Sequence, residues 1–416
     1  MAQLTDDCFA FGGPLLSVDA AAALIGERIA PLGGIRQVPL AQATGAILAE
    51  DLVAPRPLPP FANSAVDGYA FAHASLTPGT ATRLPIAARI AAGQNAAPLP
   101  PGTAARVFTG APMPAGAETV AMQEDTTDDA TGVLIPPGLK PGANARPAGE
   151  DFCAGARALP AGCRLGPAEI ALAAALGFAS LPVTAPVRVG VFSTGDELAD
   201  PGSALGPAQT FDSNRFMLLA LLARLPVVAT DLGILADRAG ATQEALHTAA
   251  ADHDLLLTTG GVSAGEEDHV RTAIEAAGRL VFWRLAIKPG RPAAMGVVAG
   301  TPVVGLPGNP VAAIVTFLHL ARPLILRLAG AAPVPLLRVP AVADFAYRKK
   351  PGRREYVRVT LRDDGTALRA VKFAREGAGL LSSLTGSDGF AELPEDSLSV
   401  TPGDALRVLP FAAVFA

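Results

Sequence analysis

The chain has 416 residues, 50% of them hydrophobic, and a formal net charge of -5 at pH 7. This length allows several domains with substantial cores, and the acidic balance argues against nucleic acid as the main partner. The acidic first residues do not resemble a signal peptide, and the apolar run 216–229 is interrupted by Arg224 and Pro226. The sequence therefore predicts a soluble cytoplasmic protein with neither a membrane nor a nucleic-acid partner.

The first third of the chain predicts a helical unit interrupted by a β lobe. Residues 17–51 are alanine-rich with helical periodicity and are followed by a proline run that cannot continue a helix. From 61 to 147, short β-prone pieces alternate with Pro and Gly turns, and 167–178 is again an alanine-rich helix. We therefore predict a discontinuous helical and linker domain, 1–55 with 145–183, and an inserted β lobe, 56–144.

Residues 184–330 are predicted to form a doubly wound α/β domain, because apolar strands alternate with amphipathic helices. The predicted strands are 187–193, 227–234, 254–259, 280–287 and 302–306. The predicted helices are 215–225 (after the capping residues Asp212-Ser-Asn), 238–253, 267–278 and 310–328. From 331 to 416, predicted strands 358–362 and 367–371 flank an Asp-Asp-Gly-Thr turn, which indicates a separate C-terminal β-barrel.

The segment 254–268 is the most informative, since an apolar strand runs into glycines, a hydroxyl and acids. Gly260, Gly261 and Gly265 allow the backbone to approach a ligand, and amides at the next helix start face an anion. The acids that follow would repel a bare phosphate, which favours a hard cation such as Mg²⁺ between them. Alone, this segment also fits a tight strand-to-helix turn whose acids suit the helix dipole.

Three further loops follow predicted strands of the same sheet: 193–198, 233–238 and 305–310. Because ligands of open parallel sheets bind at the carboxyl ends of the strands, all four loops should meet at one cleft. The cleft would offer backbone amides and four carboxylates, those of Asp196, Glu197, Asp237 and Asp268.

A second cluster supplies positive charge. Lys288 and Arg291 lie on a Pro-Gly turn directly after a predicted strand that contains Arg284. Lysine holds an oxyanion as a point charge and arginine forks onto two oxygens. A solvated hairpin turn is the alternative, and the denser basic turn 348–354 on its own indicates surface. The sequence has no phosphate-binding loop of the GxxxxGK[ST] type, no dinucleotide fingerprint and no nucleophile elbow, so positioning and electrostatics are the expected means of catalysis.

These motifs together resemble the molybdopterin molybdenumtransferase family, the bacterial MoeA proteins and the E domain of gephyrin. The β lobe carries three further matching motifs, at 60–70, 108–114 and 146–151. The resemblance spans nearly the whole chain. It implies a four-domain subunit, a homodimer, and insertion of molybdate into adenylylated molybdopterin with release of AMP and participation of Mg²⁺.

The resemblance also implies roles for individual residues. Glu197, Asp237 and Asp268 would hold the metal and the nucleotide-linked phosphates. Lys288 and Arg291 match a lysine pair that faces molybdate, and Arg284 likewise replaces a lysine, so the charge is kept while the geometry changes. The implied catalytic residues are Asp67, Asp151, Glu197, Asp237, Asp268 and Lys288. The implied substrate-binding residues are Thr109, Arg146, Ser193, Thr194, Gly195, Asp196, Gly260, Gly261, Ser263, Gly265, Arg284, Arg291, Pro307, Gly308, Asn309, Pro310, Arg353 and Ser382.

Asp67, Thr109, Arg146 and Asp151 lie in the β lobe and the interdomain segment, and they would serve the cleft only if the lobe closed over it. The resemblance implies that the lobe comes from the other subunit of the dimer. Two other functions stay open: an adenylyltransferase that makes the adenylylated pterin, and a cofactor carrier or scaffold without chemistry. The retained carboxylates argue against a carrier. Other proteins of molybdenum cofactor biosynthesis are expected as partners.

Overall fold

The computed structural model describes residues 15–235, 239–260, 274, 278–290 and 292–415. The α-helices in this part of the chain are Val18–Arg28, Pro167–Ala175, Asn214–Leu222, Ala239–Asp252, Pro310–Thr316, Arg322–Leu328, Ser382–Thr385 and Phe411–Val414. Short 3-10 turns lie at Leu40–Gln42, His73–Ser75 and Gln123–Asp125. Cys153 and Cys163 are free thiols, whereas Cys8 lies outside the described residues.

The N-terminal unit is only partly helical. After the helix Val18–Arg28, Ile35–Pro39 is a strand that pairs antiparallel with Ser180–Thr184. The helical periodicity of 17–51 therefore corresponds to a helix only over Val18–Arg28. Gly33 and Gly34 have φ angles of 76° and 81°, which an α-helix cannot contain. The strand pair joins the two segments assigned to one discontinuous domain, while the domain boundaries themselves stay a prediction.

The β lobe contains two sheets. One has the strand order Ile86–Ile90, Ala104–Val107, Gly68–Phe71, Thr119–Met122. The other has the order Thr82–Leu84, Gly132–Ile135, Thr127–Asp129. Fully buried Phe71 and Ile135 belong to a shared apolar cluster. Two short antiparallel pairs flank the lobe: Asn63–Ser64 with Ala145–Arg146, and Leu52–Val53 with Arg157–Leu159.

The central sheet has six strands and is covered by helices on both faces. Its order is Val227–Leu235, Val187–Thr194, Leu255–Thr259, Thr301–Leu306, Pro292–Val298, Gly278–Arg284. The first four strands are parallel, as the alternation of strands and helices predicts. Val189 and Val191 pack in one core with the helix Asn214–Leu222, whereas Phe192 packs on the opposite face with Leu246 of another helix.

The last two strands of this sheet are antiparallel, which the sequence-based prediction missed. It placed one strand at 280–287, but that strand ends at Arg284, and Pro292–Val298 is an additional strand. Ala299 and Gly300 connect it to the next strand with φ angles of 49° and 82°. Positive φ at both positions is the geometry of a two-residue hairpin turn, which joins antiparallel strands. Most of the predicted helix 267–278 lies outside the described residues.

A long helical segment crosses the core. It consists of Pro310–Thr316, a π-helical turn Phe317–Ala321, and Arg322–Leu328, in agreement with the predicted helix. By length and composition alone this span could cross a membrane. However, 78% of this span is buried inside the protein. Burial lowers the pKa of His319, in the π turn, to about 3.

The C-terminal region forms the predicted β-barrel. Its strands close a ring in the order Arg354–Asp363, Leu368–Lys372, Val339–Ala343, Ala405–Pro410, Gly389–Leu393, and the last pairs again with the first. Both strands predicted here are confirmed. A short strand of the central domain, Ile287–Lys288, adds to the barrel by pairing in parallel with Arg354 and Glu355.

Gly68 offers a test of the β lobe. A Cβ atom at this position would lie 1.9 Å from the carbonyl oxygen of Ala121 on the neighbouring strand. We expect Gly68→Ala to destabilise the protein by about 1–3 kcal/mol or more, because the two strands must separate. Gly26→Ala is the control, since nothing lies within 4 Å of its Cβ position in the N-terminal helix. It should stabilise the protein by about 0.5–1 kcal/mol. Equal thermal midpoints for the two variants would contradict this packing.

Candidate active site

A cleft of about 310 Å³ lies at the carboxyl ends of the parallel strands. The candidate residues that line it are Thr194, Glu197, Gly260, Gly308, Asn309 and Pro310. The structure therefore brings together loops that follow three different strands. Gly260 has a φ angle of 84°, which lets the chain turn directly after its strand. Ser193 and Pro307 adjoin wall residues in the chain, and Gly195 and Asp196 lie between two of them. Gly261, Ser263 and Gly265 lie outside the described residues.

Asn214 is a wall residue of the cleft that the sequence analysis interpreted only as a helix cap. Its side-chain Nδ2 donates to the Thr259 hydroxyl at 2.9 Å and to the Gly308 carbonyl at 2.7 Å. One buried amide thus ties the start of a helix to two of the cleft loops. The cap is supplied instead by Asp212, whose Oδ1 accepts a hydrogen bond from the Arg215 amide at 3.2 Å.

Several buried polar atoms at this edge of the sheet lack a hydrogen-bond partner within the described part of the chain. They are Ser193 Oγ, Thr194 Oγ1, Thr258 Oγ1 and Asn214 Oδ1. Buried polar groups are normally satisfied, so such a concentration at one edge indicates a polar ligand site. Thr194 and Asn214 are the members that also line the cleft.

Of the three implied metal ligands, the structure describes Glu197. Asp237 and Asp268 lie outside the described residues. No group of three or more His, Cys, Asp or Glu side chains suitable for a metal occurs among the described residues. Within the described cleft, Glu197 offers one carboxylate and Thr194 a hydroxyl without a described partner, which are oxygen groups of the kind that Mg²⁺ binds.

Arg215 organises the loop that carries Glu197. Its guanidinium is buried, with 4% of the side chain exposed, and forms ion pairs with Asp200, Asp212 and Asp231. Asp200 lies in the loop after Glu197, and Asp212 lies where that loop enters the next helix. Burial alone would raise the pKa of Asp231, but its interactions with Arg215 and with the Gly233 amide together outweigh burial and lower the pKa.

A second, smaller cavity of about 160 Å³ adjoins the cleft. The segment 377–381 of the C-terminal region lies between them: Gly377 and Ala378 line the cavity, and Gly379 and Leu381 line the cleft. The Val311 amide donates to the Ala378 carbonyl at 3.0 Å and holds this segment against the long helix. The cleft and the cavity are thus neighbouring parts of one region.

Positive charge predominates in the cavity wall. Four basic side chains line it, Lys288, Arg358, Lys372 and Arg375, together with the two acids Glu355 and Glu376. Neither arginine forms an ion pair with any described residue. The Nη1 of Arg358 donates to the Gly377 carbonyl at 3.1 Å, and its buried Nε has no described partner. An oxyanion with two negative charges would neutralise this excess.

Lys288 is the predicted oxyanion residue that reaches this cavity. Its Nζ lies 3.0 Å from the Tyr347 hydroxyl and 3.1 Å from Glu355 Oε2. Burial alone would lower the pKa of Lys288, but these bonds outweigh burial and raise it, so the amine is protonated at neutral pH.

The other predicted oxyanion residues are placed less directly. The side chain of Arg284 and the whole of Arg291 lie outside the described residues. Ser382 accepts a hydrogen bond at 3.1 Å from Arg375, which lines the cavity. Arg353 lines neither space. Arg358 and Arg375 do line the cavity, and the sequence analysis missed them because single basic residues in strands and loops are usually surface residues.

The candidate residues of the β lobe form a separate cluster. Asp67 Oδ1 accepts hydrogen bonds from the Thr109 amide and hydroxyl, both at 2.8 Å. These bonds lower the pKa of Asp67, so its carboxylate is charged at neutral pH. Arg146 pairs with Asn63 in a short strand pair, and the Asp151 amide donates to the Leu58 carbonyl. None of the four candidates lies among the described residues that line the cleft or the cavity.

Three family descriptions match consecutive parts of the chain. Residues 16–177 match the MoeA N-terminal region (domain I and II). Residues 190–327 match the probable molybdopterin binding domain. Residues 340–411 match the MoeA C-terminal region (domain IV). Together they include the β lobe, the central sheet and the barrel.

Full-length relatives decide the family. The molybdopterin molybdenumtransferase of Haemophilus influenzae is 35% identical over 405 residues, which are 95% of this chain and 99% of the relative. The chain belongs to the molybdopterin molybdenumtransferase family. Its member from Mycobacterium tuberculosis, molybdopterin molybdenumtransferase 2, is 40% identical over 384 residues, with 89% of this chain and 94% of the relative covered.

The solved structures agree with this membership. The molybdopterin biosynthesis MoeA protein from Pyrococcus horikoshii OT3 matches with a TM-score of 0.80 at 28% identity, covering 95% of this chain and 99% of that one. The resemblance inferred from the motifs and the multidomain fold of the molybdenumtransferase family are both confirmed.

Removal of Arg215 tests how the cleft loop is held. Arg215→Ala would leave Asp212, whose side chain is 1% exposed, without its cation. We expect a loss of about 3–5 kcal/mol in the free energy of unfolding, because an uncompensated charge stays buried. Arg83→Ala is the matched control, since the ion pair of Arg83 with Asp129 is exposed. It should cost about 0–1 kcal/mol in the same denaturant titration. Similar losses in both variants would exclude this role of Arg215.

Thr109→Val tests the cluster in the β lobe of this family member. The variant keeps the backbone amide that bonds to Asp67 but loses the hydroxyl donor. The pKa of Asp67 should therefore rise towards its ordinary value without reaching it. The carboxyl carbon of Asp67 can be followed by NMR during a pH titration. Thr103→Val is the control, because the Thr103 hydroxyl bonds to the Pro100 carbonyl instead. An unchanged pKa in Thr109→Val would refute the assignment.

Proposed function

We propose that the protein is a molybdenum insertase, which transfers molybdate into adenylylated molybdopterin with release of AMP and so completes the molybdenum cofactor. The names of its relatives support transfer of molybdenum to molybdopterin. The adenylylated form of the substrate is our more specific proposal, and the glycine turn in the cleft wall supports it.

The observation that carries the proposal is the adjacency of two unlike sites. The cleft has a glycine turn at Gly260 and the unpartnered Thr194 hydroxyl, which can donate to a phosphate oxygen, and the Glu197 carboxylate, which could bind a cation. The cavity beside it has an excess of two positive charges, which suits the molybdate dianion. The segment 377–381 contributes to the walls of both spaces, so a substrate in the cleft would lie near the oxyanion.

Within this proposal, Lys288, Arg358 and Arg375 hold molybdate by charge-assisted hydrogen bonds. We assign Arg291, Arg353 and Ser382 to the periphery of the same oxyanion site. Glu197, Asp237 and Asp268 would hold Mg²⁺, which when bound acts as a Lewis acid on phosphate oxygens. The chain itself positions the reactants and excludes water, which is the main means of catalysis in phosphoryl chemistry.

We further propose that the active unit is a cytoplasmic homodimer in which the β lobe of one subunit completes the cleft of the other. The support for this is the separation of the lobe cluster from the cleft within one chain. Asp67, Thr109, Arg146 and Asp151 are not among the described residues that line either space. Other proteins of cofactor biosynthesis would deliver the substrate and receive the product.

Molybdate-dependent release of AMP tests the proposed function. Purified protein loaded with adenylylated molybdopterin and Mg²⁺ should release AMP much faster with molybdate than without it, because the oxyanion completes the site. Equal rates in both conditions would refute the coupling. Chromatography of the nucleotide products measures both rates, and protein without the pterin substrate is the blank.

Asp268→Asn distinguishes an insertase from a carrier, and a loading assay with ATP distinguishes an insertase from an adenylyltransferase. For an insertase, turnover should fall by about 10²-fold or more, since a charged ligand of the metal is lost. A carrier would keep binding the pterin and would have no turnover to lose. An adenylyltransferase would instead load AMP from ATP onto unmodified molybdopterin, which the wild-type protein should not do.

A further inference from the structure

Lys288 reaches the cavity from the central domain, but the groups that hold it belong to the barrel. The short strand Ile287–Lys288 pairs in parallel with Arg354 and Glu355, with Lys288 opposite Glu355. Tyr347 belongs to the short strand Tyr347–Arg348 of the C-terminal region, which pairs with Ser399–Val400 beside the barrel. The location of the Lys288 amine therefore depends on contacts across the boundary between two folded units.

The three side chains form a closed triangle. Glu355 Oε2 accepts from the Tyr347 hydroxyl at 2.8 Å and from Lys288 Nζ at 3.1 Å, and Nζ also lies 3.0 Å from the hydroxyl. The side chain of Glu355 is 2% exposed, whereas that of Lys288 is 48% exposed. The buried carboxylate is thus the anchor, and the lysine is the member that a ligand can reach.

The N–H donors of the Lys288 ammonium group show which hydrogen bond the triangle leaves for a ligand. A protonated lysine has three N–H donors, and two of them face Tyr347 and Glu355. The third donor remains for a ligand in the cavity that Lys288 lines. Glu355 also neutralises the charge of Lys288, so the excess positive charge of the cavity comes from Arg358 and Arg375. Lys288 then contributes a directed hydrogen bond more than net charge.

We propose that Glu355 and Tyr347 are positioning residues that orient Lys288 towards the oxyanion of the proposed insertase reaction. Neither residue needs to touch the oxyanion. The inference rests on the proposed function, because it assigns the ligand of this cavity to that reaction.

Two possible effects of Glu355, its negative charge and its orientation of Lys288, make opposite predictions for Glu355→Gln. The variant removes a negative charge from the cavity wall, so attraction alone would strengthen molybdate binding and lower its KM. If position dominates, the neutral amide holds Lys288 more weakly than the carboxylate does, and kcat for molybdate-dependent AMP release should fall on the order of 10- to 100-fold. Tyr347→Phe keeps the carboxylate anchor and should lower kcat less, by several-fold.

Glu376→Gln is a matched control. Glu376 lines the same cavity and its removal changes the charge equally, but it bonds to Lys372 at 2.9 Å rather than to Lys288. Its kcat should fall far less than that of Glu355→Gln, with an equal or lower KM for molybdate. Thermal unfolding of each variant checks that the fold is kept. If Glu355→Gln does not fold, the loss of kcat in Tyr347→Phe relative to Glu376→Gln is the deciding comparison.

The pH dependence of activity is a second measurement, which a purely structural role of Glu355 would not change. Among the described residues, the charged and titratable groups around Lys288 in the cavity wall are Tyr347, Glu355, Tyr356, Arg358, Lys372, Arg375 and Glu376. Loss of the carboxylate removes one of the two bonds that raise the pKa of Lys288, so the pKa should fall and the alkaline limb of activity should move to lower pH in Glu355→Gln. In Glu376→Gln the limb should move less, because Glu376 interacts with Lys288 by charge and not by a hydrogen bond.

The outcomes separate the two proposals. Wild-type release of AMP that ignores molybdate overturns the proposed function and the positioning role with it. Molybdate-dependent release with equal kcat in Glu355→Gln and Glu376→Gln overturns the positioning role alone. A selective loss in Glu355→Gln, with its alkaline limb shifted, supports both.

Discussion

The parallel pairing of Ile287–Lys288 with Arg354 and Glu355 is the contact on which the candidate site depends. Arg354 is bound in turn by Asp19 of the N-terminal helix at 2.8 Å. One barrel strand therefore meets both the central domain and the helix that packs on the central core. The cavity has no complete wall within either unit, because Lys288 comes from one and Arg358 from the other. Docking of the units and assembly of the oxyanion site are consequently one event.

The cleft and the cavity use arginine in opposite ways. Arg215, beside the cleft, is buried and forms ion pairs with three carboxylates. These pairs balance its charge and hold a loop in place. Arg358 and Arg375 form no ion pair with any described residue, so their positive charge is not balanced in the cavity that they line. An arginine whose charge is already compensated is structural, whereas uncompensated arginines around an enclosed space indicate an anion site.

The sequence predicts the parts of this molecule that depend on local chemistry. Gly260 and the loops after three strands could be placed at one sheet edge, because parallel strands end together. The turn Ala299–Gly300 could not be recognised, since its residues differ from the usual Asn-Gly and the strand before it is apolar throughout. Arg358 was missed for another reason. Its contact with the neighbourhood of Lys288 exists only after the barrel has docked.

The Asp67 cluster extends this reasoning to the quaternary level. Its carboxylate is already charged and bound by Thr109 within a single chain, so it needs no ligand to become organised. A site assembled by docking must have parts that are rigid beforehand, because ordering them on contact would cost entropy. The barrel strand provides such rigidity for Lys288, and the β lobe provides it for Asp67. Under the proposed dimer, subunit association would therefore join two preformed halves, and the cost of association would consist mainly of the lost freedom of the subunits.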